Sequence, residues 1–226
     1  MGAKIISSYY EQNKITKQQA KKMLSFCSIS GPMFMVGTVG IGILCSFKAG
    51  LVILISNLIA ALINGLIHKN KQKDIVDFEF NTKQKKFNLS DIMLDSLNSI
   101  LMVGGFLVLS FLLIDTLIES GVLSFILNTI SCVSNELISE DLVQAFACGL
   151  IEITRGIIDI SSTTLDIKTQ TILSSGLIGF GGFSIILQSM TFLKKIDMKF
   201  SEILIQKITQ GILAIVVSII LDFVVY

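Results

Sequence analysis

Charge is scarce in this sequence. Only 15% of its 226 residues are Asp, Glu, Lys or Arg, where a soluble domain carries about 25%. That charge gathers in a few places and leaves long apolar stretches between them. With 52% hydrophobic residues and a mean hydropathy of +0.77, the chain reads as a membrane protein rather than a soluble domain. The formal net charge is only +1, so there is no global basic field and no nucleic-acid partner is expected. There is one histidine, His68, in a polar stretch, and four cysteines, Cys27, Cys45, Cys132 and Cys148, with no CxxC pair among them. The cysteines read as small apolar side chains, and neither a metal site nor a cofactor is expected. The opening residues are polar and lysine-rich, without the apolar core of a secretory signal. Ile6 stands where a myristoylation signal has serine or threonine.

Four apolar stretches, 49–67, 97–118, 171–193 and 203–226, meet or nearly meet the length of about 20 residues that a spanning helix needs. A fifth, 26–47, is long enough but is broken by "SGPMFMVGTVGIGI", which contains the only proline, Pro32. Two shorter apolar pieces, 121–133 and 142–153, flank the polar tip "SNELISED" and read as the arms of a re-entrant helical hairpin. The expected fold is therefore all-α and polytopic, with about five transmembrane helices, some of them broken, and one re-entrant hairpin. Residues 1–25 form an amphipathic N-terminal segment, and residues 26–226 form the membrane domain with a polar loop at 68–90. Lysines crowd residues 4–22, 69–86 and 194–199, which the positive-inside rule places in the cytoplasm, while the loop at 159–168 is external. In "SDIMLDSL", Ser90 reads as the N-cap of a helix with acids in its first turn.

Helix breakers at membrane depth are tolerated where the freed backbone is buried in protein or lines a wet cavity. Many transporters build their substrate site from such discontinuous helices. A second candidate break lies in "SSGLIGFGGFSIILQ", where Gly176 and Gly182 repeat the spacing of Gly31 and Gly37. Gly37, Gly40 and Gly42 recur at about helical spacing and present a smooth face to a neighbour. Pro32 is suited to the first turn of a new helix capped by Ser30. Between the two candidate breaks, "GLIEITRGIIDISS" sets Glu152 and Arg155 three apart on one helix face. They read either as an interfacial salt bridge or as the polar wall of a cavity. Asp115 and Glu119 read as interfacial. No phosphate-binding glycine motif follows a strand, and no second acid–base group stands beside Glu152, so an enzyme is not expected.

The stretches "GAKIISSYYEQNKITKQQAKKMLSFCSISGPMFMVGTVGIGIL", "LNSILMVGGFLVL", "GLIEITRGI" and "GFGGFSIILQ" together resemble the YlbJ family of sporulation integral membrane proteins. The resemblance covers essentially the whole chain. It implies a nucleoside-recognition or Gate domain, here roughly residues 90–195, of the kind shared with spore maturation proteins and related to concentrative nucleoside transporters. It also implies a longer protein. A "GYPxGAK" motif lies mid-chain in the family, and Met1 to Lys4 resemble its tail.

The pattern is kept at Ser30, Gly31, Pro32, Thr38, Glu152, Thr154, Gly181, Gly182, Ser184 and Gln188. Apart from Pro32, these are the candidate substrate-binding residues. The chain departs from the pattern at Ser28 and Arg155, where the family tends to have asparagine, and at Ile186, where it often has histidine. What the resemblance implies is a multi-pass protein of the mother-cell or forespore membrane, needed for the spore envelope and its cortex. Its partners would be membrane lipid, a nucleoside-like or other polar small molecule, and further copies of itself. A scaffold that organises cortex or coat assembly without transport is the alternative.

Overall fold

A computed structural model of the chain describes residues 2–68, 88–123 and 140–225. Among these the secondary structure is helical. Helix α1 spans Gly2–Glu11, α2 Lys17–Cys27, a π-helix Met33–Ile43, and α3 Phe47–Ile67. After them come α4 Leu89–Glu119, α5 Glu140–Ile151, α6 Ile153–Ser161, α7 Ile167–Phe180, α8 Gly182–Leu193 and α9 Phe200–Val225. The expected lysine-rich loop at 69–86, most of the arm at 121–133 and most of the "SNELISED" tip lie outside the described residues.

Four stretches are long and apolar enough to cross a membrane: Phe47–Ile67, Ser96–Glu119, Ile167–Ile196 and Phe200–Phe223. They lie where the apolar pattern places them, and the chain is an all-α, multi-pass membrane protein. The fifth expected span is not one helix. It is the end of α2, a non-helical link at residues 28–31, and the π-helix, laid together along α3. Phe26 packs on Gly65, near the end of α3, and Val36 and Gly40 pack on Gly50, near its start.

Helix α3 runs antiparallel to α9, which also packs along α7. Where no water is available, buried polar side chains join these helices. The Ser56 and Ser175 hydroxyls are 2.7 Å apart, and the Asn57 amide donates to the Ser175 carbonyl at 3.3 Å. The Asn64 amide donates to the carbonyls of Ser25 at 2.8 Å and Gln206 at 3.1 Å, while Thr209 donates to Asn64 Oδ1 at 2.7 Å. Close approach comes from glycine. A Cβ on Gly179 would lie 2.9 Å from Ala214 Cβ and 3.1 Å from Gly211 Cα.

At one end of the bundle α1 and α2 pack on one another, α1 lies across α8, and α2 packs on α3. The α2 start is a capping box between Thr16 and Gln19, which satisfies two otherwise orphaned N–H groups. Ion pairs fasten this end: Lys17–Asp197 at 2.7 Å, Lys21–Glu202 at 2.6 Å and Lys195–Glu11 at 2.7 Å. Hydrogen bonding from Lys17 holds the Asp197 carboxyl below the usual carboxylate range, and Asp197 in turn raises Lys17. Two of the three lysine-rich stretches thus meet at one end, where α3 also finishes at His68. The other end carries Arg155 with Asp115 at 3.6 Å and Asp159 at 3.3 Å, and Lys168 with Asp222 at 3.6 Å.

Local expectations need correction. Helix α4 begins at Leu89 after Asn88, which makes no side-chain cap, so Ser90 lies inside the helix instead of capping it. Among the described residues there is also a hairpin that was not expected. Its arms are α5 and α6, which fold back on each other about the single extended residue Glu152 (φ −139°, ψ 121°). Gly149 and Gly156 make the fold possible, since a Cβ on Gly149 would lie 3.3 Å from Gly156 Cα and 2.5 Å from Leu177 Cδ1. Arms of 12 and 9 residues are each too short to span. The stretch 142–153, expected as the second arm of a hairpin with 121–133, forms the first arm of this one, while most of 121–133 lies outside the described residues.

Candidate functional site

Three interruptions of helical backbone converge within the bundle. The first is the link at residues 28–31. The chain leaves α2 at Ser28, and Pro32 takes helical angles (φ −56°, ψ −37°) to start the π-helix. A proline lacks the N–H that a helix start leaves unpaired in any case, so it is at home there. The Gly31 carbonyl accepts from Phe34 at 3.0 Å and Met35 at 3.2 Å. No side chain caps this start, so the expected role of Ser30 is not found. Winding closes through five-residue bonds such as Leu44 N–H to the Val39 carbonyl at 2.9 Å. An eleven-residue π-helix is long for a form usually seen as single-turn bulges. Of the three expected contact glycines only Gly40 packs closely, its Cβ position lying against the Gly50 backbone. Thr38 is exposed and takes no part in the convergence.

The second interruption is Gly181–Gly182, between α7 and α8. Both have positive φ, +88° and +68°, a region that glycine enters without steric cost. Gly181 ends α7 with its N–H on the Leu177 carbonyl at 2.8 Å. Phe180 and Phe183 flank the break edge to face, their centroids 5.7 Å apart. This is the break expected in "GFGG". Its register with the first differs from the expected repeat, because Gly31 lies at its break whereas Gly176 lies inside α7 against Ile215.

The third is Glu152, at the hairpin turn. Its side chain is buried and caps α6: Oε2 accepts from the Arg155 backbone N–H at 2.9 Å, and Oε1 from the Thr154 hydroxyl at 3.2 Å. The carboxylate thus sits at the positive end of a helix. The Arg155 guanidinium turns away to Asp115 and Asp159, so of the two readings of Glu152 and Arg155 the salt bridge between them is not formed.

These elements touch in sequence. A Cβ at Gly182 would lie 3.3 Å from the Ile151 carbonyl oxygen and 3.5 Å from Ile153 N, so the hairpin turn abuts the break between α7 and α8. On the other side of the break the Lys207 stem passes over Gly181, with Nζ 3.7 Å from the glycine's Cβ position. The Lys207 ammonium donates to the Ser28 carbonyl at 2.5 Å and to Gln210 Oε1 at 3.2 Å. Beside it is a cavity of about 10 Å³, room for about one water. Ser25, Ser28, Ser189, Gln206, Lys207 and Gln210 supply its polar lining.

Of the expected site residues, the structure brings together Glu152, Thr154 and Gly182, and sets Gly181 against Lys207. Ser30 and Gly31 lie in the link that follows Ser28, and Ser184 is buried one turn into α8. Gln188 is half-buried and does not line this cavity, which takes Ile186 and Ser189 from α8 instead. Lys207 was missed by the sequence reading. The available signal was a lone lysine inside the apolar run at 203–226.

Fold and site together define a multi-pass α-helical membrane protein that combines interrupted helices with a short helical hairpin. No family model and no solved structure matches the chain. Over 95% of its length it is 25% identical to the sporulation integral membrane protein YlbJ of Bacillus subtilis (strain 168), and it spans 59% of that relative. The chain is thus similar, over nearly its whole length, to a sporulation integral membrane protein.

Proposed function

We propose that this chain forms part of a membrane unit that moves a small polar molecule during endospore formation, and that the movement serves assembly of the spore envelope and its cortex. The end carrying α1, α2 and residues 194–199 faces the cytoplasm, following the lysine bias. A mother-cell or forespore membrane is its site of action, the Gate-like region is roughly 90–195, and the role is not enzymatic. The observation that carries this reading is the hairpin turn at Glu152 meeting the Gly181–Gly182 break. Paired discontinuities in an otherwise helical bundle are how transporters expose backbone donors and acceptors to a substrate. A nucleoside-like molecule, rich in hydroxyl and carbonyl groups, fits such a surface.

The scaffold reading also has a specific observation behind it. Glu152 is occupied as a cap, and glycine pairs at 40/50, 149/156 and 179/211 give close packing. One experiment separates the two. The protein is reconstituted into liposomes and uptake of radiolabelled uridine is measured, while the same variants are scored for spore formation in a strain lacking the gene. Transport predicts protein-dependent uptake, with Gly182→Leu losing uptake and sporulation together. Sporulation rescued by Gly182→Leu, with no uptake by either protein, would favour the scaffold.

A further inference from the structure

Lys207 is the charged side chain that the proposed transport role leaves unexplained. It lies in a spanning helix and is only 6% exposed. Among the described residues no carboxylate pairs with it, and the six ion pairs present lie elsewhere. A buried cation without a counter-ion is costly, so something else must balance it.

Its partners show what does. The ammonium is held by two neutral oxygens, the Ser28 carbonyl at 2.5 Å and Gln210 Oε1 at 3.2 Å. Ser28 is the C-cap of α2, whereas Gly181, beneath the lysine stem, ends α7 and also begins α8, so the opposite helix ends there offset one another. A helix C-terminus carries roughly half a negative charge in its unpaired carbonyls. The end of α2, whose C-cap carbonyl the ammonium holds, supplies the favourable charge, and the Gln210 amide oxygen is the second ligand. Half-helix C-terminal ends and unwound carbonyls are ligands with which broken-helix proteins hold monovalent cations, and the Gln210 amide oxygen is a further neutral oxygen of the same kind. The adjoining cavity, which has room for about one water, would complete such a shell.

We infer that the Lys207 ammonium is a tethered replacement for a free monovalent cation, occupying a site that sodium or potassium fills once the side chain is removed. The intact protein then carries its own cation and needs no alkali ion to hold the two interrupted helices together. The inference stands on structure alone and is read by stability, so a failed uridine assay leaves it unaffected.

The test uses the full chain, purified in detergent, as wild type and as Lys207→Ala, Lys207→Met and Lys207→Arg. Apparent melting temperatures are compared in sodium chloride, potassium chloride and N-methylglucamine chloride at equal ionic strength. Wild type and Lys207→Arg should melt alike in all three. Lys207→Met should melt several degrees lower in each, because its stem fills the space without a charge. Lys207→Ala should be as unstable in N-methylglucamine but regain at least half the loss, saturably, in sodium or potassium. Recovery of the alanine variant only from membranes prepared with an alkali salt would be the same result. The inference is overturned by an alanine variant indifferent to the salt, by a methionine variant as stable as wild type, or by a sodium response of equal size in the wild type. It is overturned too if the alanine variant cannot be recovered in any salt while the methionine variant can.

Discussion

Two glycines that look alike in the sequence differ in what the structure asks of them. Gly182 has φ +68°, and a side chain there would lie 3.3 Å from the Ile151 carbonyl oxygen. Gly31 has nothing within 4 Å of its Cβ position, so a side chain there meets no steric obstacle. Gly182→Ala should cost about 1–3 kcal/mol, the range for a non-glycine residue held in a strained region. Gly31→Ala should stay within about 0.5 kcal/mol, as for exposed positions. Unfolding of both variants in detergent checks the contrast, and equal losses would count against the assigned backbone at Gly182. Glu152 allows a similar separation. If its carboxylate acts as a helix cap, Glu152→Ala should lose about 1 kcal/mol, whereas Glu152→Asp, itself a good cap, should lose little. A sporulation defect in the aspartate variant at unchanged stability would instead give the carboxylate a ligand-binding role.

Helices α1 and α2 pack through Ala3, Ile6, Ala20 and Leu24 on an apolar cluster that includes Ile186 and Leu193, and ion pairs to residues 195–202 add to this fastening; such pairs weaken with salt. Hydrogen exchange in residues 2–27 should therefore rise in Asp197→Lys, and in wild type as salt increases. The Asp197 carboxyl is held below its ordinary value of 3.8 and Lys17 above its ordinary 10.5. The acid's contribution is present above 3.8 and lost as pH falls toward its lowered value; the base's is present below 10.5 and lost above that. Between about pH 5 and about pH 9 this fastening should therefore be insensitive to pH, and a change in exchange protection across that window would contradict the pairing. Elements of this kind differ in how openly the sequence declares them. The break at residues 28–31 was legible because proline cannot continue a helix, and the break at Gly181–Gly182 because consecutive glycines remove the barrier to positive φ. The turn at Glu152 was not, since no breaker stands at that position. Its signal was the symmetric pair Gly149 and Gly156, whose missing side chains let the arms meet. The π winding of residues 33–43 leaves no mark, because the glycine-rich run is apolar all round and serves either pitch.

For the molecule as a whole, the lysine bias predicts which end faces which compartment. Single cysteines at Asn13 and Thr163, on a background freed of the native cysteines, should differ in labelling of intact cells by an impermeant thiol reagent. Thr163→Cys should react and Asn13→Cys should not; the reverse pattern would invert the topology. The apolar pattern alone located the four spans, because burial in lipid requires them. How they are joined at the centre depends on contacts between residues remote in sequence, which no local pattern records. Lys207 is 179 positions from Ser28, whose carbonyl it holds. The central claim is that the hairpin turn at Glu152 lies against the break between α7 and α8. Its most direct test is a cross-link in native membranes between Ile153→Cys and Gly182→Cys under mild oxidation. Ser56→Cys with Ser175→Cys, whose native hydroxyls lie 2.7 Å apart, serves as the control pair. Both pairs should form intramolecular disulfides; a control that closes while the 153/182 pair stays reduced would separate the hairpin from the break and contradict the site.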